Sequence, residues 1–258
     1  MDHSAVLARY DRDMRENAVP DGPGARIERS GAVVRQVADA YGWNGVLWSD
    51  LDRTSAEQVI RDQIVHFTGL GRDFEWKLYS HDRPEDLGAR LTAAGFRAEP
   101  AETLLIGETD RLALDAEPPA GIRLLPVTDP AGVDLVVGVH EKAFGDDATR
   151  LRHRLLARLA ADPGTVVAVV ALAGDEPVSA ARMELVPGTP FAGLWGGGTV
   201  EAFRGRGIYR ALVTHRARVA AAHGYRYLQV DASSMSRPIL ERLGFQALST
   251  TTPYVYGS

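Results

Sequence analysis

The chain has 258 residues, 45% of them hydrophobic and 24% charged, which suits a soluble globular protein long enough to bury a full core. It has no cysteine, which excludes disulfides, thiolate nucleophiles and cysteine zinc sites. Net charge is −5, from 29 basic and 34 acidic residues, which argues against a dedicated nucleic-acid binder.

In chain order, the first half opens with a helix over Ser4–Asn17 and a hairpin-like region over Arg26–Val37. Met1–Pro20 is charged throughout and has no apolar stretch of a secretory signal, so a cytoplasmic protein is expected. Apolar strands at Val46–Trp48 and Trp76–Tyr79 flank a helical stretch, Thr54–Phe67. Asp115–Gly121 (DAEPPAG) suits an extended linker. Beyond it, Ile122–Val127 is a strand, and Ala131–Phe144 and Ala148–Ala161 are amphipathic helices. Val166–Leu172 is a buried, β-branched strand. The longest apolar run, Val166–Ala173, is far too short to span a bilayer, so no membrane partner is expected. Pro177–Val186 and Phe191–Val200 form a hairpin. Ile208–His223 is a helix, Tyr227–Asp231 a strand, Pro238–Leu243 a short helix and Gln246–Tyr256 a final strand pair.

The chain repeats itself at a spacing of about 149 residues. Asp82 falls on Asp231, Leu91 on Leu240, and Gly95-Phe96 on Gly244-Phe245. Thr54–Phe67 falls on Phe203–Arg216. Two copies of one α/β unit are expected, over 1–115 and 121–258. The first copy lacks the two-helix opening of the second.

One segment carries chemistry. Phe203–Ala211 reads FRGRGIYRA, follows a strand and opens a helix. Its glycines let backbone N–H groups face outward, and the helix N-terminus adds partial positive charge. Arg204, Arg206 and Arg210 could add charge-assisted bonds to a phosphate. The alternative is a plain strand–helix turn without a ligand. The glycine run Gly196-Gly197-Gly198 either marks a bulge or the close approach of a ligand to a strand. No P-loop and no histidine metal spacing is present, so no metal is expected. Only Lys77 and Lys142 are lysines, which leaves few candidates for Schiff-base chemistry.

Arg204–Tyr209 resembles the Arg/Gln-x-x-Gly-x-Gly/Ala loop of the GCN5-related N-acetyltransferases (GNAT), and Asp231–Phe245 resembles that family's motif ending in Leu-Gly-Phe. The likeness covers Gly121–Ser258 and, through the repeat, about Arg26–Gly107. It implies two tandem GNAT-like domains, each a mixed, mostly antiparallel sheet with helices on both faces. It also implies acetyl-CoA as acyl donor. Its pyrophosphate would lie on Arg204, Gly205, Arg206, Gly207, Ile208, Tyr209 and Arg210, and its pantetheine along Gly197, Gly198 and Thr199. Backbone N–H groups there would stabilise the oxyanion formed when an amine attacks the thioester directly.

The sequence departs from the family pattern. Tyr209 stands where the loop usually ends in Gly or Ala. Glu201 replaces a common proline, and Trp195 an often-found glutamate base. Leu240 replaces the tyrosine acid, and Ser233 the usual asparagine. Glu184 and Ser233 are the catalytic candidates, with Asp231 read instead as a helix cap. The first copy has Ser55–Ile60 (SAEQVI) opposite the loop, without glycine and with Glu57 repelling anions, so it is expected to bind no CoA. The function expected is acetyl transfer to a small-molecule amine by a monomer with an internal pseudo-dimer. The alternative is a non-catalytic acyl-CoA-binding sensor or adaptor.

Overall fold

The computed structural model describes residues Met1–Gly257. The first half runs through α1 (His3–Tyr10), extended by a π-helical turn over Asp11–Glu16, then β1 (Arg26–Ser30), β2 (Val33–Val37) and β3 (Gly45–Ser49). It continues with α2 (Ala56–Gly69), β4 (Phe74–Tyr79), α3 (Leu87–Ala93), β5 (Arg97–Ala98) and β6 (Glu102–Glu108). The second half runs through β7 (Ile122–Val127), α4 (Pro130–Phe144), α5 (Thr149–Ala161), β8 (Val166–Ala173), β9 (Glu176–Leu185) and β10 (Phe191–Thr199). It ends with α6 (Ile208–Ala222), β11 (Tyr227–Ala232), α7 (Arg237–Arg242) and β12 (Gln246–Tyr256).

Two compact units divide these elements. One comprises Met1–Leu104, Asp231–Ser234 and the chain from Ala247 onward; the other comprises Leu105–Val230 and Met235–Gln246. In the first unit the strand order is β1-β2-β3-β4-β12, with β5 on β12. Only the β3–β4 pair is parallel, through Gly45↔Glu75 and Val46↔Trp76. α2 and α3 pack one face through Ile60, Phe67, Leu87 and Leu91 onto Val46, Phe74 and Trp76. On the other face, α1 meets β4 where the Tyr10 and Tyr79 hydroxyls lie 3.0 Å apart.

In the second unit the order is β6-β11-β10-β9-β8-β7. The β7–β8, β8–β9 and β9–β10 pairs are antiparallel and β10–β11 is parallel. Strand β8 alternates strictly, as a sheet covered on both sides must. Its Ala168, Val170 and Leu172 join a core with α4 and α5, while Val169 and Ala171 join one with Ile208 and Leu212 of α6.

The repeat is visible in atomic detail at the turn after α3 and α7. Gly95 and Gly244 have φ +99 and +103. Each turn closes with the same bond, Phe96 N–H to Leu91 O and Phe245 N–H to Leu240 O, both 3.1 Å. One element differs from expectation: Gln246–Tyr256 is a single 11-residue strand. Pro253 has no N–H to give, but its carbonyl accepts from Glu99 N–H at 2.8 Å, and the β-branched Thr250–Thr252 keeps the chain extended.

Candidate functional site

In the second unit, β10 leads through a short 3-10 turn, Glu201–Phe203, into α6. Gly205 and Gly207 take φ +74 and +85, a backbone that other residues rarely adopt. Gly207 is the N-cap, and no side chain caps the helix. The amides of Ile208, Tyr209 and Arg210 therefore have no acceptor within the helix, and the dipole adds positive charge at the same place. Such an end suits a phosphate. Arg204, Gly205, Arg206 and Arg210 are exposed. Arg204 also braces the loop: Nε donates to Thr199 O at 3.1 Å and Nη2 to Ala143 O at 3.1 Å. Arg206 donates to Ala202 O at 2.9 Å and lies 4.8 Å over the Phe203 ring.

The β10–β11 ladder ends at Gly193↔Gln229, while β10 continues to Thr199 along β9. Its register with β9 shifts between Trp195 and Gly198, and Gly196 has φ +56. Side chains crowd the three glycines of this bulge, and at Gly196 the positive φ itself favours glycine. An added Cβ would meet Arg182 Nη1 at 2.8 Å from Gly196, Tyr209 Cε2 at 2.8 Å from Gly197 and Phe144 Cε2 at 2.7 Å from Gly198. Ser179 Oγ holds the end of the strand, donating to Gly198 O at 2.7 Å.

Tyr209, the departure in the loop, thus lies on β10. Burial pushes its hydroxyl up, while Arg216 and a hydrogen bond with Ser236 pull it partly back. Arg216 is fully buried; Nε donates to Leu212 O and Nη1 to Arg182 O. Burial brings this guanidinium down to about 10.

Glu184 lies on β9, with Arg182 Nε at 3.5 Å and Arg158 Nη1 at 3.9 Å. His140 of α4 was missed in the sequence, where it carried no motif. Its Nδ1 is buried without a hydrogen-bond partner, and burial followed by Arg182 lowers its pKa. Ser233 follows β11 in the first unit, so the two catalytic candidates do not share a unit. Asp231 lies inside β11 and pairs with Lys77, which corrects its reading as a helix cap. Leu240 is fully buried core.

The chain ahead of the corresponding helix start in the first unit is tied by a carboxylate. Asp52 Oδ1 accepts from the N–H groups of Thr54 and Ser55, both at 2.8 Å, and from both hydroxyls. These bonds hold its carboxyl well below the usual range. An internal carboxylate thus lies just ahead of α2, where its negative charge opposes an incoming anion.

Among the described residues, no group of three or more His, Cys, Asp or Glu could hold a metal ion, and no helix is long and apolar enough to cross a membrane.

Residues 133–245 match the model of the acetyltransferase (GNAT) family. No curated protein matches the sequence. Among solved structures, a GCN5-related N-acetyltransferase from Kribbella flavida is similar at 18% identity and TM-score 0.70, covering 99% of this chain and 94% of that one. A tandem GNAT protein from the clavulanic acid biosynthesis pathway is similar at 16% identity and TM-score 0.61, covering 92% and 84%. A GCN5-related N-acetyltransferase from Sphaerobacter thermophilus is similar at 17% and 0.61, covering 98% and 84%. At these identities the likeness shows the fold. Residues 133–245 thus resemble the GNAT family, and the chain as a whole has a fold similar to that of tandem GNAT proteins.

Proposed function

We propose that the protein transfers an acetyl group from acetyl-CoA to an amine of a small molecule. The observation that carries this reading is the uncapped start of α6, where Gly205 and Gly207 present the amides of Ile208–Arg210 beside three arginines. These residues fit a pyrophosphate, and Gly197, Gly198 and Thr199 at the end of β10 fit the pantetheine arm. The cofactor supplies an activated thioester. The protein's own work is to hold it, orient it and take a proton from the amine.

For the proton, the geometry favours His140 over Glu184. Glu184 is engaged by two arginines, whereas the neutral imidazole of His140 has an open, buried Nδ1. Ser233 remains a candidate for a polar contact to the substrate. The first domain binds no CoA under this reading, because its helix start has no glycine loop and places the Asp52 and Glu57 carboxylates where a phosphate would lie.

The second reading, a non-catalytic acyl-CoA sensor, draws on one observation: the family's acid position is the buried Leu240. Free CoA release with a panel of primary amines separates the two. Release that depends on both amine and His140 supports the transferase; stoichiometric binding without release supports the sensor. Calorimetry should give one acetyl-CoA per chain, and two sites would overturn the assignment to the second domain.

A further inference from the structure

Three distant segments of the first unit meet at one imidazole. Asp11 opens the π-helical turn after α1, His81 follows β4, and Ser249 lies on β12. His81 Nε2 stands 2.9 Å from Asp11 Oδ2, and His81 Nδ1 stands 2.9 Å from Ser249 Oγ. The partners lie 70 and 168 positions from the histidine, so the tertiary fold alone brings them together. The array is also braced. The imidazole packs edge to face with Tyr79 at 5.7 Å, and Arg15 Nη1 donates to the other Asp11 oxygen at 2.7 Å.

The directions of these bonds follow from one end. Burial would raise the Asp11 carboxyl, but its bonds to His81 and Arg15 hold it below the usual carboxylate value. It is therefore ionised and can only accept. His81 Nε2 must carry the proton that it donates to Asp11. In the neutral ring Nδ1 is then bare, and it accepts from the Ser249 hydroxyl. With its hydrogen committed there, Ser249 Oγ accepts from Ser80 Oγ, 3.1 Å away. Thr250 N–H donates in turn to Ser80 Oγ at 3.3 Å. A competing acceptor for the Ser249 hydrogen, Thr250 O, is farther off at 3.4 Å.

A base on the hydroxyl hydrogen, with a carboxylate behind the base, is the arrangement that activates a serine. The two ring nitrogens exchange roles relative to the common serine-hydrolase geometry, which leaves the proton path the same. The site is open to solvent: the His81 side chain is 31% exposed, and Ser80 and Thr250 are exposed beside a half-buried Ser249.

We propose that Ser249 is the nucleophile of an esterase site in the first unit, with His81 as its base and Asp11 holding the imidazole. Ser249 Oγ bonds to the carbonyl carbon of a carboxylic ester while its proton passes to Nδ1, and the carbonyl electron pair moves onto oxygen. That pair then returns, the bond to the alkoxy oxygen breaks, and the departing alcohol takes the proton from Nδ1. Water attacks the acyl-serine through the same base, the acid leaves, and Ser249 regains its hydrogen. Asp11 offsets the charge of the transient imidazolium, and Ser80 supports the negative charge that grows on Ser249 Oγ. No CoA enters these steps, so the site stands apart from the transfer proposed above.

The test treats the full chain with diisopropyl fluorophosphate, which phosphorylates activated serines, and separately follows p-nitrophenyl acetate hydrolysis with no CoA present. One adduct per chain is expected, on Ser249, together with p-nitrophenol release over many turnovers. Ser249→Ala and His81→Asn should each prevent the adduct and slow that release at least tenfold, with an unchanged circular dichroism spectrum. No adduct, an adduct on another residue, or hydrolysis at the wild-type rate by Ser249→Ala overturns the proposal. Should Ser249→Ala fail to fold, the position of the adduct on the wild-type chain decides the matter by itself.

Discussion

The Tyr209 ring points its edge at the backbone of Gly197: a Cβ built there would stand 2.8 Å from Tyr209 Cε2 and 3.6 and 3.7 Å from Cδ2 and Cζ. The aromatic ring is stiff and its hydroxyl is tied to Ser236, so it cannot yield cheaply. Gly197→Ala should cost about 1–3 kcal/mol through overpacking. At roughly 2–4 °C per kcal/mol, thermal denaturation will show it. Tyr209→Ala in the same chain should recover part of the loss. If Gly197→Ala melts as the wild type does, the packing account of this glycine is wrong.

Gly207 tests the cofactor loop. Its φ of +85 costs any other residue about 1–2 kcal/mol. Gly207→Glu adds a carboxylate at the very amides that would hold a pyrophosphate. The variant should keep its fold and lose acetyl-CoA binding in calorimetry. Gly207→Ala carries the strain without the charge and should weaken binding less. Wild-type affinity in a folded Gly207→Glu protein removes the loop from the site.

The proton acceptor is tested by pH. Burial, then Arg182, lowers the His140 pKa from its ordinary value near 6.5, so the imidazole stays neutral into mildly acidic solution. kcat/KM should therefore hold its plateau below pH 6.5 before falling. His140→Gln should reduce the rate by about 10²–10⁴, the usual worth of a general base. Glu184→Gln should act more weakly, by freeing Arg182. A pH profile unchanged in His140→Gln would return the role to Glu184 or to water.

Much of this was legible in the residues. The loop from Arg204 to Arg210 and the Gly-Phe turns of the repeat depend on local backbone geometry, and local geometry leaves a mark in sequence. Helix and strand bounds in the second half agree to within about two residues for the same reason. The polar face of β4 was not legible. Alternation marks which residues leave the core but does not say what covers them. Lys77 and Asp231 are 154 positions apart, so nothing near either one announces their pairing. His140 was hidden because a single histidine has no spacing to read. Asp52 was hidden because its bonds to Thr54 and Ser55 are a matter of geometry.

The Glu102 carboxyl sets a stability trend. Burial, and next the charge of Asp231, push its folded-state pKa up to about 7, above an unfolded value near 4.5. The folded protein thus binds the proton more tightly, and this stabilising term, fully present below about pH 4.5, is lost as pH rises to 7. Glu102→Gln removes the buried negative charge. The variant should melt a few degrees above the wild type at pH 8 and together with it at pH 4.5. An equal shift at both values would assign the effect to packing rather than to charge.

The last prediction concerns how the first unit is closed. Its strand β4 pairs with β12 from the far end of the chain, through Thr251↔Tyr79 to Tyr256↔Phe74. Tyr256 lies 5.9 Å from the Phe74 ring and 5.1 Å from Phe96, so β12 also completes the aromatic core. Lys77 finds its charge partner in Asp231, likewise far along the sequence. A fragment Met1–Asp115 carries the whole N-terminal half but neither of these. It would leave one edge of β4 without a partner, expose Phe74 and Phe96, and leave Lys77 without Asp231. An open, apolar strand edge promotes aggregation. The fragment is therefore expected to be insoluble or to unfold without a cooperative transition. Joining residues 246–257 to it through a flexible linker should restore a measurable transition, because the strand then returns at high effective concentration. If Met1–Asp115 alone is soluble and melts cooperatively, β12 is an accessory to the first unit rather than part of its frame.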